Sequence, residues 1–167
     1  MSTGDWESRV AALWDDETID DQQRIERMRD LAADASHPAL GAFELGGAYD
    51  SGGDEAEAHV QYSAATAAGL DVVDPDRAAR MTVQHASTLR NLGRLDEAIA
   101  MLRGAPEHPT TGLAPKVFLA LALHSAGRYD EALRVAIEAI EPSLPRYRRS
   151  VRAYACLLYT SPSPRDS

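Results

Sequence analysis

Apolar residues recur at intervals of three and four along most of this chain, a spacing typical of amphipathic helices rather than strands. Trp6, Val10 and Leu13 share one face of a helix over 5–16, and residues 19–35 repeat the pattern. Turn signals divide the remaining chain into further helices, predicted over 38–51, 54–68, 75–92, 96–103, 113–126, 130–140 and from about 145 to 155 or beyond. The pattern therefore predicts an all-α chain.

One short segment occurs twice. "GRLDEA" at 93–98 returns as "GRYDEA" at 127–132, an offset of 34 residues (127 − 93). We number each unit so that its turn glycine is position 15, which places a third unit upstream around Gly53. Positions 8, 20 and 27 are then small in all three units: Gly46, Ala58 and Ala65; Ala86, Ala98 and Ala105; Ala120, Ala132 and Ala139. Small residues let two helices cross closely, so the agreement predicts three helix hairpins.

On this period and these positions, residues 38–140 resemble the tetratricopeptide-repeat family. The resemblance implies antiparallel helix hairpins stacked in a right-handed superhelical solenoid, with about three repeats, an N-terminal helix pair and a C-terminal capping helix. Position 4 departs from the family, because Ala42, Thr82 and Lys116 replace its frequent tryptophan. His85 at position 7 replaces an apolar residue; we expect a hydrogen-bonded core histidine, with a metal ligand as the alternative.

The repeat also predicts how the chain is divided. We expect an N-terminal helical cap (1–37), three repeats within 38–142 (about 39–72, 79–112 and 113–142), a truncated C-terminal helix (143–155) and a disordered tail (156–167). About three stacked units are needed to bury a continuous core, and three are present. Trp6 and Trp14 of the cap are expected to pack on the first repeat.

The last twelve residues, "CLLYTSPSPRDS" at 156–167, resemble a translated sequencing adapter. We therefore expect a non-native tail, with a different natural sequence after Ala155, and assign Cys156 no redox or catalytic role. The alternative is a natural disordered tail, since Ser-Pro-Ser-Pro cannot continue a helix.

Charge and composition exclude several classes of function. The net charge of −9 and pI of about 4.9 disfavour generic nucleic-acid binding, which needs clustered Lys and Arg. The sequence has no apolar run of membrane-spanning length and no secretory pattern at its start, so we expect a cytoplasmic protein. Its histidines, cysteine and carboxylates lack metal-ligand spacing. We therefore predict no enzyme activity, no metal and no cofactor.

The family resemblance implies that the first helix of each unit lines a concave groove through positions 2, 5, 9, 12 and 13. The partner-binding residues expected there are Leu40, Phe43, Arg80, Val83, Ser87, Arg90, Asn91, Val117, Leu121 and His124; the same positions also hold Gly47, Asp50 and Ser51. An apolar floor with Arg and Asn donors suits a peptide that has an apolar anchor and a carboxylate. The alternative for Arg90 is a surface pair with Asp96 or Glu97.

These features favour a non-catalytic protein–protein interaction module that binds a peptide or protein partner in the groove. The alternative is a self-associating structural protein that forms a homodimer through the end of its last repeat. A basic segment at 145–155 holds Arg146, Arg148, Arg149 and Arg152. It is expected either to neutralise acidic neighbours in the solenoid or to dock an acidic partner.

Overall fold

A computed structural model describes residues 3–158, and within that range the chain forms ten α-helices and one short 3-10 helix, with no strand. The helices are α1 (Thr3–Asp15), α2 (Asp21–Ala33), α3 (Pro38–Ser51), α4 (Glu55–Ala67), α5 (Leu70–Val73), α6 (Pro75–Asn91), α7 (Leu95–Arg103), α8 (Ala114–Ser125), α9 (Tyr129–Ile140) and α10 (Arg148–Leu157), and the 3-10 helix is Glu141–Ser143. The predicted all-α helical-repeat fold is confirmed, while its handedness and the domain division stay predictions. No helix in residues 3–158 combines the length and apolar character needed to cross a membrane.

Aspartates and prolines in the sequence determine where two of the helices begin. The Asp54 carboxylate accepts the backbone N–H of Glu57 at 3.2 Å, and the Asp74 carboxylate accepts that of Arg77 at 2.9 Å. Each bond satisfies an N–H group that has no partner within its own helix. Pro75 occupies the first helical turn of α6, where its missing N–H costs nothing.

The same turn closes the first helix of all three repeats. Gly53, Gly93 and Gly127 have φ angles of 77°, 76° and 74°. In each case the next residue donates its backbone N–H to the carbonyl five residues earlier, at 2.8–2.9 Å. Glycine enters this left-handed conformation without strain from a Cβ. The twice-occurring hexapeptide is therefore the start of a structural turn.

Small residues bring the two helices of each hairpin together. The position 20 alanines Ala58, Ala98 and Ala132 are all buried. A Cβ added to Gly46 would lie only 2.7 Å from the ring of Tyr62, so α3 and α4 meet where a side chain is missing. Position 27 is less regular than predicted: α7 has already ended when the chain reaches Ala105, which is only half-buried.

The insertion between the first and second repeats forms a short helix where the sequence predicts only a connector. This helix is α5, and its Leu70 side chain is completely buried in the first core cluster. That cluster extends from the N-terminal helices to Met81, whereas Ala86 and Leu89 belong to a second cluster around α7–α9. Helix α6 therefore contributes to both cores and joins them.

The N-terminal helix pair is fixed by its two tryptophans. Trp14 donates its indole N–H to the Glu44 carboxylate of α3 at 2.8 Å, so it packs on the first repeat as expected. Trp6 instead donates to the carbonyl of Leu31 in α2 at 2.7 Å. The pair is thus held together by Trp6 and attached to the repeats by Trp14.

The last helix begins later than the sequence pattern predicts, and it extends two residues beyond Ala155. It starts at Arg148 rather than near Pro145 and includes Cys156, which was assigned to the tail. Arg152 donates to both carboxylate oxygens of the buried Glu141, at 2.8 and 3.0 Å, so this arginine neutralises an acidic neighbour. The rest of the predicted tail, residues 159–167, lies outside the described residues, and its disorder and origin stay predictions.

Candidate functional site

The first helices of the three repeats, α3, α6 and α8, lie side by side, because α6 packs against both of the others. We call the surface they form the α3–α6–α8 face. Every residue that the sequence places in the groove belongs to one of these three helices. What the face can bind depends on which of those side chains are exposed and which of them lie close together.

The apolar residues predicted for the face differ in their exposure to solvent. Leu40, Phe43 (4% exposed) and Val83 (7%) lie inside the protein, whereas Val117 (48%) and Leu121 (44%) are open to solvent. The cause is the number of neighbours, because α6 is flanked by α3 and α8 while α8 has only α6 beside it on this face. Only the α8 side of the face therefore offers apolar surface to a partner.

One groove residue of α6, Arg90, makes a hydrogen bond to α8. Arg90 donates its Nε–H to the Ser125 hydroxyl at 2.8 Å, and Ser87, one turn earlier, is half-buried. The alternative pairing of Arg90 with Glu97 is not formed, because Glu97 binds Arg94 at 2.6 Å. Arg90 therefore connects the second and third repeats across the face.

The remaining polar groove residues do not converge with Arg90 on one point. Asn91 directs its side-chain amide to the Glu55 carboxylate of α4, at 3.4 Å. His124 is exposed and its ring meets that of Tyr129 edge-on, with 5.0 Å between the centroids. The donors that the sequence offers for a partner's carboxylate are thus engaged separately within the chain.

A pocket of about 270 Å³ opens where α1 meets the face. It is lined by Trp14, Phe43, Glu44, Gly47, Asp50, Ser51, Arg80 and Gln84. Trp14, Glu44 and Gln84 were not predicted as site residues. The helical period could have found two of them, since Glu44 and Gln84 both hold position 6 of their units, one turn from positions 2 and 9.

The Glu44 carboxylate that lines the pocket is paired with a cation. Its Oε1 accepts from Arg77 Nε at 2.9 Å, and its Oε2 accepts from Trp14. Arg77 also binds the carboxylates of Glu7 at 2.5 Å and Asp74 at 2.7 Å. Burial acts to lower the pKa of Arg77, but these hydrogen bonds raise it overall above its usual value. Arg77 thus stays charged and neutralises Glu44.

Asp50 differs, because its carboxylate lines the pocket without a basic partner among the described residues. Its oxygens accept from the hydroxyls of Thr88 at 2.9 Å and Tyr62 at 3.4 Å. Burial raises the pKa of Asp50, and these two hydrogen bonds only partly oppose that effect. The nearby Gln84 Oε1 is buried and has no hydrogen-bond partner. The pocket lining therefore includes one carboxylate without a cation and one side chain whose buried amide oxygen has no donor.

Arg80 is the one basic side chain that lines the pocket. Its guanidinium carbon lies 5.4 Å from the centre of the Phe43 ring, a cation–π arrangement on the exposed side of that buried aromatic. Within residues 3–158, no group of three or more His, Cys, Asp or Glu side chains is arranged to hold a metal ion. The chemistry available at this face is therefore hydrogen bonding, charge pairing and apolar contact.

Comparison with family models finds one match, to a model described as a tetratrico peptide repeat, over residues 39–158. The matched region includes α3 to α10 and so contains the whole of the α3–α6–α8 face. No curated protein and no solved structure matches the chain.

Proposed function

Because the chain belongs to the tetratricopeptide repeat family, we propose that it binds a peptide or protein segment on its α3–α6–α8 face. Members of this family are generally protein-interaction modules rather than enzymes. The observation that carries the proposal is the open apolar pair Val117 and Leu121, next to the pocket-bearing helices. An extended or helical segment can place apolar side chains on such a pair.

The position of this pair on α8 supports the proposal. Leu121 and Val117 lie one and two turns before Ser125, which Arg90 of α6 contacts. Residues four apart are neighbours on a helix surface, so Leu121 lies next to Ser125 and Val117 lies next to Leu121. A bound segment can therefore cross from α8 towards the pocket without leaving the face.

Selection of a random peptide library on the purified full chain tests this function. We expect peptides to enrich on the natural sequence and on Leu133→Glu, which places the same charge on an exposed leucine of α9. Leu121→Glu should abolish the enrichment, because it removes an apolar contact and an apolar side chain of the peptide would have to desolvate the new carboxylate. Equal enrichment on Leu121→Glu would contradict binding at this face. Phe43→Glu is unsuitable, since Phe43 is buried and the change would unfold the first repeat.

Self-association is the second candidate function, and the end of the last repeat favours it. Large apolar side chains are exposed on α9 and α10, including Leu133, Ile140, Tyr154 and Leu157. Isologous contact between two copies could cover them. Sedimentation equilibrium over a wide concentration range tests this: a dimer that Leu133→Glu dissociates supports it, and a concentration-independent monomer excludes it.

A further inference from the structure

We propose that the pocket between α1, α3 and α6, here named the Asp50 pocket, binds a lysine or arginine side chain of the peptide partner. The inference rests on the proposed function and specifies the chemistry of the bound segment. It differs from the carboxylate-bearing ligand that the sequence pattern favours. Three features of the pocket carry it: an unpaired carboxylate, an acceptor without a donor and an aromatic wall.

The carboxylate of Asp50 supplies the charge. Each of its oxygens accepts one described hydrogen bond, from Thr88 or Tyr62, and can accept at least one more. A half-buried carboxylate without a cation is unfavourable, and a guanidinium or ammonium group removes that cost. The net charge of −9 on the chain also attracts a basic segment.

Gln84 supplies the second contact. Its Oε1 is buried at the pocket and has no donor, which is uncommon for an amide oxygen in a folded protein. Lysine and arginine carry several N–H donors each, so one head group can bind the Asp50 carboxylate and also donate to this oxygen once the Gln84 side chain turns it towards the pocket. Glu44, by contrast, is already neutralised by the Arg77 guanidinium at 2.9 Å, so its charge is not available to a second cation.

Trp14 and Gly47 supply the wall for the aliphatic part of the side chain. A Cβ at residue 47 would stand 3.3 Å from Trp14 Cζ2, so the indole ring packs closely on the α3 backbone at this glycine, and both residues line the pocket. The methylene groups of Lys and Arg pack well on such surfaces while their charged ends reach polar groups. Arg24 already lies over the Trp14 ring at 5.7 Å, as a cation–π pair within the chain.

Arg80 is the feature that opposes a basic ligand. Its guanidinium lies over Phe43 and makes no ion pair with Asp50. It is exposed, so it can turn towards solvent when a second cation enters. A carboxylate bound at Arg80 is the competing arrangement, and the experiment includes a probe for it.

The test measures single-residue probes directly, so that it does not depend on finding the natural partner. N-acetyl-arginine amide and N-acetyl-lysine amide are titrated into the ¹⁵N-labelled full chain, while the Trp14 indole and Gln84 amide signals are followed. We expect saturable shifts of both signals, and about a tenfold loss of affinity in Asp50→Asn. Asp71→Asn removes the same charge from an exposed site on α5 and should change nothing. N-acetyl-norleucine amide, which lacks the charge, should not bind.

Three results would overturn the inference. The first is equal affinity of the basic probes for Asp50→Asn and the natural sequence, and the second is binding of the norleucine probe alone. The third is a preference for N-acetyl-glutamate amide, which would show that the pocket binds a carboxylate through Arg80. If circular dichroism shows that Asp50→Asn is unfolded, Gln84→Met is used as the test variant instead. It removes the amide oxygen with little change in side-chain volume. The peptide library separates the two proposals. Enrichment without a basic position would refute the Asp50 pocket and leave the proposed function standing, whereas no enrichment with intact probe binding would refute only the proposed function.

Discussion

His59 Nδ1 lies 2.8 Å from His85 Nε2, and this contact joins the first repeat to the second. The other ring nitrogen of His59 lies 2.5 Å from Arg94 Nη1. Arginine can only donate, so His59 Nε2 accepts and the proton of this ring is on Nδ1. His59 therefore donates to His85, and the neutral His85 ring must accept. The chain of bonds connects α4, α6 and the start of α7.

The stability of the fold should decrease below about pH 6.5 because of this arrangement. Burial, together with the nearby His59 and Arg94, lowers the pKa of His85 to about 4. In the unfolded chain the pKa of His85 returns to 6.5. Between pH 6.5 and pH 4 the unfolded state therefore binds more protons than the folded state, so the free energy of unfolding decreases as the pH is lowered. We expect about 2 kcal/mol to be lost between pH 8 and pH 5. Urea denaturation at both pH values measures the loss.

His85→Gln is the control for that titration. Glutamine can still accept from His59 but has no proton to gain in this range. The variant should therefore lose about 2 kcal/mol less than the natural sequence between pH 8 and pH 5. The carboxylates are common to both proteins and cancel in the comparison. An identical pH dependence in the two proteins would show that His85 is not the group that titrates.

The close approach of α3 and α4 makes a second prediction. Gly46→Ala should destabilise the protein by about 1–3 kcal/mol, because the new methyl group would lie within 2.7 Å of the fully buried Tyr62 ring. Gly4→Ala is the matched control, since a Cβ at this helical glycine meets nothing within 4 Å. It should change stability by less than about 0.5 kcal/mol, because Gly4 lies in the first turn of α1 and an added Cβ contacts nothing there. Thermal unfolding of both variants gives the comparison, and a stabilising Gly46→Ala would contradict close packing at position 8.

The helices and their turns could be predicted from the sequence because their signals are local. The periodic apolar positions and the glycine turns at Gly93 and Gly127 each depend on a few neighbouring residues. The pocket could not be predicted in this way. Trp14, Glu44 and Gln84 come from three helices, and their meeting depends on how the N-terminal pair docks. The start of α10 was also misplaced, because its first turn has no side-chain cap.

The exposure of the apolar groove residues also depends on helix packing and could not be predicted from the sequence, and it leads to a third prediction. Val83 and Val117 hold the same position in their units, yet only the second is exposed, because α6 has neighbours on both sides of the face. Val83→Asp should therefore unfold the second repeat, at a cost of several kcal/mol for a buried charge. Val117→Asp should stay within about 0.5 kcal/mol of the natural sequence. Chemical denaturation monitored by circular dichroism distinguishes them, and equal losses would contradict the division of the floor.

Arg77 makes the last prediction, because it connects the cap, the first repeat and the second repeat through carboxylates on three elements. Arg77→Met should cost about 3–5 kcal/mol, since it leaves the buried Glu44 carboxylate without a cation. Adding Glu44→Gln to that variant should restore part of the loss, because a neutral amide is less costly to bury. Arg27→Met breaks an exposed pair with Asp16 and should cost at most about 1 kcal/mol. Urea denaturation of the natural sequence and the three variants measures these differences. If the Arg77 and Arg27 variants lose equal stability, the cluster contributes no more than a surface ion pair.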